Sequence, residues 1–230
     1  MEIEVFANAD AVAQAGARFI AAAAPAALAA RGRFLLAVSG GQTPWQMLRA
    51  LAEEPLPWSA IHLFQVDERV APSGDTDRNL THLAECLAGS PAASRIHLHP
   101  MPVEAGDLDG AAREYALDLA RIAGAPPILD LIHLGLGPDG HTASLVPGDP
   151  VLEVSNAEVA LTGVYQSRRR MTLTYPALNR ARQLLWVITG SEKADALARL
   201  RSGDPSIPAG RIEQGRACVL ADSAAARQVH

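Results

Sequence analysis

Residues 34–44 read Phe34-Leu-Leu-Ala-Val-Ser-Gly-Gly-Gln-Thr-Pro44. Five apolar residues stop at a Ser-Gly-Gly turn. Pro44, of a type favoured in the first turn of a helix, opens a helical pattern behind it. The same arrangement recurs three times. Ile61–Val66 meets Asp67-Glu68-Arg69, and Leu129–Leu134 meets Gly135-Leu-Gly-Pro-Asp-Gly-His141. Gln183–Thr189 meets Gly190-Ser-Glu-Lys193, ahead of a helical Ala194–Leu200. Short, nearly continuous apolar strands alternating with helices predict a mostly parallel sheet with helices on both faces. This is an open doubly wound, Rossmann-like α/β architecture. Ile3–Phe6, Val159–Gly163 and Ala217–Leu220 are weaker strand candidates. A helix is expected from Ala9 to Arg31, interrupted near Pro25. No tandem repeat, Ser/Gly-rich linker or long charge run divides the chain, so residues 1–230 are expected to form one domain.

Composition narrows the class. The chain is 49% hydrophobic and 20% charged, enough for a packed core and unlike a disordered or fibrous sequence. A net charge of −5 without a basic stripe argues against nucleic acid as a partner. No uninterrupted apolar stretch approaches the ~18 residues of a membrane span. Met1-Glu2-Ile3-Glu4 lacks the basic start of a secretory signal. Cys86 and Cys218 are too few for a disulfide framework and read as buried small hydrophobes. The expectation is a soluble cytoplasmic protein with no membrane partner. Of 20 Lys plus Arg, only Lys193 is lysine. It is either a chance survivor of an Arg-biased composition or a place where the two cations are not interchangeable.

In an open α/β sheet, ligands bind beyond the carboxyl ends of the strands, where all four polar clusters lie. Ser39-Gly40-Gly41, with Thr43, reads as a phosphate cradle at a helix N-terminus, the plain alternative being a tight turn. It is not a P-loop, because no Gly-Lys-Ser/Thr follows. Gly135 to Gly140 matches G-x-G-x-x-G, with Glu158 about where a ribose-binding acid would stand. Pro147 and Pro150 leave room for only a short helix behind it, which disfavours a nicotinamide site. His141, at the expected start of that helix beside Thr142 and Ser144, is a candidate general base; its plain alternative is a loop cap. Neighbouring N–H groups would stabilise an oxyanion. Arg69 offers a fork for phosphate, or an ion pair with Asp67 or Glu68. Lys193 at a helix start is unfavourable unless an anion lies nearby. His97 and His99 alternate about Leu98 but lack a third metal ligand. Arg168-Arg169-Arg170 reads as a solvated face, although Arg170 leads into the strand-like Met171–Thr174. No Gly-x-Ser-x-Gly elbow is present.

Taken together, these blocks resemble the 6-phosphogluconolactonase family. The matching segments are Ser39–Pro44, Val66-Asp-Glu-Arg-Val-Ala-Pro72 with Asn79, Gly135–Pro147, Arg170–Asn179 and Thr189–Lys193, in family order. The resemblance implies hydrolysis of 6-phospho-D-glucono-1,5-lactone to 6-phospho-D-gluconate in the oxidative pentose phosphate pathway, with no cofactor and no metal. It implies His141 as general base and Gly40, Gly41, Thr43, Arg69 and Lys193 as phosphate-pocket positions. Asp67 matches a site carboxylate, and Arg170 the basic residue of its block. Ser39, Asp139 and Gly140 are further expected substrate-binding positions. The expected partner is a small sugar-phosphate lactone, and the expected assembly a monomer or weak homodimer. The chain departs from the family pattern at Ala71, at Ser167 to Arg169 and at Cys218, which touches the pocket rim and tail packing. The related glucosamine-6-phosphate deaminases typically carry Asp-Glu-Tyr where this chain has Asp67-Glu68-Arg69. They also carry Ala-Phe-Asn-Glu-Pro where it has Ala143 to Pro147. Both differences favour the lactonase. A non-catalytic sugar-phosphate sensor would have no need of a base.

Overall fold

A computed structural model describes residues 1–228. Its ten strands are β1 (Glu2–Phe6), β2 (Phe34–Val38), β3 (Ile61–Gln65), β4 (Asp67–Arg69) and β5 (His97–His99), then β6 (Leu131–Leu134), β7 (Val159–Leu161), β8 (Arg170–Leu173), β9 (Leu184–Ile188) and β10 (Ala217–Asp222). Seven form one sheet in the order β1-β10-β9-β6-β2-β3-β5, with every neighbouring pair parallel. The helices are α1 (Ala9–Arg31), α2 (Gln42–Ala52), α3 (Asn79–Leu87), α4 (Leu108–Ala123), α5 (Tyr175–Asn179) and α6 (Ala194–Arg201).

Alternation along the strands feeds two cores. Phe34, Leu36 and Val38 of β2 pack with α1, α2 and α3, while Leu35 and Ala37 pack with α4 and α6 on the other face. Burial on both faces is why these runs are continuously apolar. Cys86 and Cys218 are both buried in the first of these cores.

Several boundaries differ from the sequence reading. Pro25 does not interrupt α1, which is continuous over 23 residues. It lies on the exposed side, where water can satisfy the carbonyl that a proline leaves unbonded. By length and apolarity α1 also matches a membrane span. Here Val12, Ala17, Ile20, Ala24 and Ala27 bury its apolar stripe against the sheet and α2. Helix α2 begins at Gln42, two residues before Pro44, with Gly41 as N-cap.

The larger difference is at residues 67–69. Asp67-Glu68-Arg69 is not a loop cluster but strand β4 of a second, antiparallel sheet, in the order β4-β8-β7. Val66 joins the two sheets: its N–H donates to Val38 of the first, and its carbonyl accepts from Leu173 of the second. The weak candidate Val159–Gly163 is a strand over Val159–Leu161 only and belongs to this second sheet too.

At the open edge of the main sheet, His97 and His99 stack with His62, with ring centroids 4.7 and 5.2 Å apart. His62 Nδ1 and His99 Nε2 share a 2.9 Å hydrogen bond. The chain runs β2, β3, β5 outward and then returns to place β6 on the other side of β2. That reversal is the topological switch point, where an open α/β sheet leaves a crevice at its carboxyl edge.

Candidate active site

A cavity of about 330 Å³ opens between the segments that follow β2 and β6. Ser39, Gly40, Gly41, Thr43, Asp67, Arg69, His141, Arg170 and Lys193 all line it. Five separate sequence segments, from Ser39 to Lys193, therefore line one cavity. Asp139 and Gly140, expected among the substrate-binding positions, do not line it. A Cβ on Gly140 would lie 2.5 Å from Ile207 Cβ, and its carbonyl accepts from Ala209, so this turn faces the protein interior.

Asp139 turns instead toward His141. Its Oδ1 lies 2.6 Å from His141 Nδ1 and also accepts the His141 backbone N–H at 3.1 Å. The Tyr165 hydroxyl donates to Oδ2 at 3.1 Å. Burial pushes the Asp139 carboxyl up, but His141 and the Tyr165 hydroxyl outweigh it and hold the group below its usual range. An ionised carboxylate only accepts, so Nδ1 carries the proton and Nε2 is left as the basic nitrogen. The segment after Gly140 forms no helix: Thr142 and Leu145 close a small bridge, and Ala143 has φ 51°. The expected helix start at His141 is thus replaced by a loop. The next turn, Pro150–Glu153, is a short 3₁₀ helix, and Glu158 pairs with Arg180, so nothing here builds a dinucleotide site. A Cβ on Gly137 would sit 2.0 Å from His141 Nδ1, so the close pairing requires glycine there.

The cavity is cationic. Arg69 and Arg170 stand directly opposite each other across β4 and β8. Like charges at such positions repel unless an anion lies between them. Arg69 donates to the Asp77 carbonyl at 2.8 Å and to Asn79 Oδ1 at 2.9 Å, rather than pairing with Asp67 or Glu68. Arg170 is only 4% exposed, which corrects its reading as part of a solvated face. Burial lowers its pKa, Asp67 opposes this and Arg69 adds to it. The Nε of each arginine is buried without a hydrogen-bond partner among the described residues. Asp67 itself is committed: its Oδ2 accepts from Ser144 Oγ at 2.6 Å. Lys193 ends a 3₁₀ turn just before α6, and burial lowers its pKa against the opposing pull of Glu192 and Asp139.

The Gly-rich turn is built by close approach. A Cβ on Gly40 would fall 2.1 Å from Asn79 Oδ1 and 2.8 Å from Trp45 Cζ2. Thr43 Oγ1 is tied to Thr189 Oγ1 at 2.7 Å, joining the ends of β2 and β9. Among the described residues, no set of three His, Cys, Asp or Glu side chains is arranged to hold a metal ion.

A family model described as glucosamine-6-phosphate isomerases/6-phosphogluconolactonase matches residues 7–221. The chain belongs to this family. It is 39% identical over 220 residues to a 6-phosphogluconolactonase of Mycobacterium tuberculosis, covering 90% of this chain and 89% of that one. The solved 6-phosphogluconolactonase of Trypanosoma brucei is 26% identical with a TM-score of 0.86, covering 100% of this chain and 98% of the other. A monomeric glucosamine-6-phosphate deaminase shares the fold, with a TM-score of 0.84 over 99% of this chain and 100% of that one, at 18% identity.

Within this isomerase/lactonase fold, the sequence reading gave no site role to four contributors, although Asn79, Thr189 and Glu192 stand in its family blocks. Thr189 and Glu192 line the cavity, and Asn79 anchors Arg69. Tyr165 touches Asp139 and carries no motif signal. Glu68 was read only as a possible ion-pair partner. It is fully buried, and accepts from the N–H groups of Arg69, Asn79 and Leu80 and from the Gln65 amide, all within 2.8 Å. Arg78 Nε adds an ion pair at 3.2 Å. Glu68 thus fixes β4 to the start of α3 and sets where Arg69 and Asn79 stand.

Proposed function

We propose that this chain hydrolyses 6-phospho-D-glucono-1,5-lactone to 6-phospho-D-gluconate. One observation carries the reading: His141, its Nδ1 engaged by Asp139, shares a cavity with Arg69, Arg170 and Lys193, none of which has a carboxylate ion pair among the described residues. A base beside an anion-seeking surface suits a substrate with a phosphate at one end and an ester at the other. The fold alone does not choose between lactonase and deaminase, since both share it. The lactonase names among relatives near 39% identity favour the first.

In this mechanism His141 Nε2 removes a proton from water as the oxygen attacks C1. The C1–ring-oxygen bond then breaks, and the imidazolium returns the proton to the departing ring oxygen. General-base assistance of this kind is worth about 10²–10⁴-fold. Asp139 holds the ring in its basic tautomer and stabilises the imidazolium that forms. Arg69, Lys193 and the Gly40-Gly41 amides hold the phosphate by charge-assisted bonds, which fixes C1 against the base. Arg170 adds positive potential where the oxyanion develops. The enzyme would work in the cytoplasm on a free small molecule, as a monomer or weak homodimer, with no nucleic-acid or membrane partner.

The test is consumption of freshly generated lactone above its spontaneous hydrolysis, for wild type and His141→Ala. Acceleration by wild type that disappears in the variant supports reaction and base together. Acceleration that survives in the variant moves the base elsewhere. A folded wild type without acceleration sinks the assignment.

A further inference from the structure

The β7–β8 hairpin contributes no predicted site residue before Arg170, yet its tip reaches both halves of the site. Tyr165 and Arg168 close the turn by reciprocal backbone bonds of 2.9 and 3.2 Å. Gln166 and Ser167 between them have φ of 50° and 66°, a left-handed pair that non-glycine residues adopt at some cost. The turn is held from outside. Arg168 reaches Asp75 at 3.1 Å and Asp77 at 3.0 Å in the segment after β4. Arg69 donates to the backbone carbonyl of the same Asp77, whose carboxylate holds Arg168. From inside, Gln166 Oε1 accepts from Arg170 Nη2 at 3.1 Å.

So fixed, Tyr165 makes three contacts. Its hydroxyl donates to Asp139 Oδ2. Its ring stands edge-on to His141 with centroids 5.6 Å apart, and the Arg170 guanidinium lies 5.0 Å from its centroid. We propose that Tyr165 is a positioning residue that sets the base through Asp139 and sets Arg170 through its ring, coupling the proton-accepting and anion-binding halves of the cavity. The proposal rests on the reading of His141 as the base. An aromatic face beside a guanidinium favours its charge and its placement at once. The hydroxyl, donating to the oxygen that His141 does not use, prevents the carboxylate from rotating away.

Tyr165→Phe keeps the ring and removes only the hydroxyl. Its kcat should fall about fivefold, with KM for the lactone nearly unchanged. In substrate-free protein the His141 Nδ1–H, held by Asp139, should exchange with water several-fold faster in this variant, an NMR readout that needs no activity. Tyr165→Ala, which also removes the ring beside Arg170, should raise KM as well. An Nδ1–H exchange rate in Tyr165→Phe equal to that of wild type overturns the proposal whether or not the lactone is the substrate. Loss of the lactonase assignment with the faster exchange intact would leave the coupling standing on a different reaction.

Discussion

Replacing Asp139 by asparagine probes the base with the smallest change in shape. The carboxylate sits 2.6 Å from His141 Nδ1, with the two side chains 22% and 36% exposed. Charge centres about 4 Å apart attract by about 4 kcal/mol at an effective dielectric of 20. Partial exposure halves this to about 2 kcal/mol, present in the transition state, where the imidazole is charged, and absent before it. That is about 30-fold in kcat. The asparagine amide can also turn its NH₂ toward Nδ1 and force the proton onto Nε2, which blocks the base and adds to the loss. The groups assigned to the phosphate are untouched, so KM should stay within about twofold. The assay is initial-rate lactone hydrolysis, corrected for the spontaneous reaction, with the Tm measured alongside. A kcat within about threefold of wild type, in a variant of unchanged Tm, would refute the role given to this carboxylate.

Gly40→Ala drives a methyl into Asn79 Oδ1, 2.1 Å from its ideal position, and so displaces the anchor of Arg69. We expect a loss of about 1–3 kcal/mol in stability and a KM raised about tenfold, read by urea melts and kinetics; wild-type KM would remove the link. Glu68→Gln puts an NH₂ against backbone donors and takes from Arg78 the nearer and buried one of its two carboxylates, leaving Glu104 at 3.5 Å, which should cost about 3–5 kcal/mol in a urea titration. A cost under about 1 kcal/mol would show that this carboxylate is not the anchor described. His133, fully buried in β6, accepts the Ser39 N–H through Nδ1, and burial pushes its pKa down to about 3. The unfolded chain takes up that proton near pH 6.5 and the folded one only far below, so the stability present above about 6.5 is lost as pH falls toward 3. The slope contributed is up to about 1.4 kcal/mol per pH unit. His133→Gln should flatten stability measured between about pH 6.5 and 4.5, and an unchanged slope would refute the assignment.

The main sheet was legible because a strand buried on both faces has no choice of composition. Phe34–Val38 and Leu184–Ile188 are apolar at every position, and both lie inside the sheet within a residue of where the sequence put them. The site was legible to the extent that its residues sit at the ends of those strands. What periodicity could not carry was the second sheet. Asp67–Arg69 is three residues of polar side chains, and its pairing with Arg170–Thr172 depends on a partner about a hundred residues away. For the same reason composition alone placed Arg170 among solvated arginines, and only its family block marked it as a site residue, though it is buried opposite Arg69.

By itself, then, the sequence determined the parallel α/β sheet, the carboxyl edge as the place for the site, and the identity of His141, Arg69 and Lys193 as its candidates. Those follow from local rules, because hydrophobic alternation and turn chemistry act over a few residues. Only the tertiary structure decided that Asp139 contacts His141 rather than the cavity, that Glu68 holds β4 to α3, and that Tyr165 touches both Asp139 and Arg170. Each of these is a contact between side chains whose partners are chosen by how separate segments pack, and a hydrogen bond of about 3 Å leaves no trace in the spacing of residues along the chain.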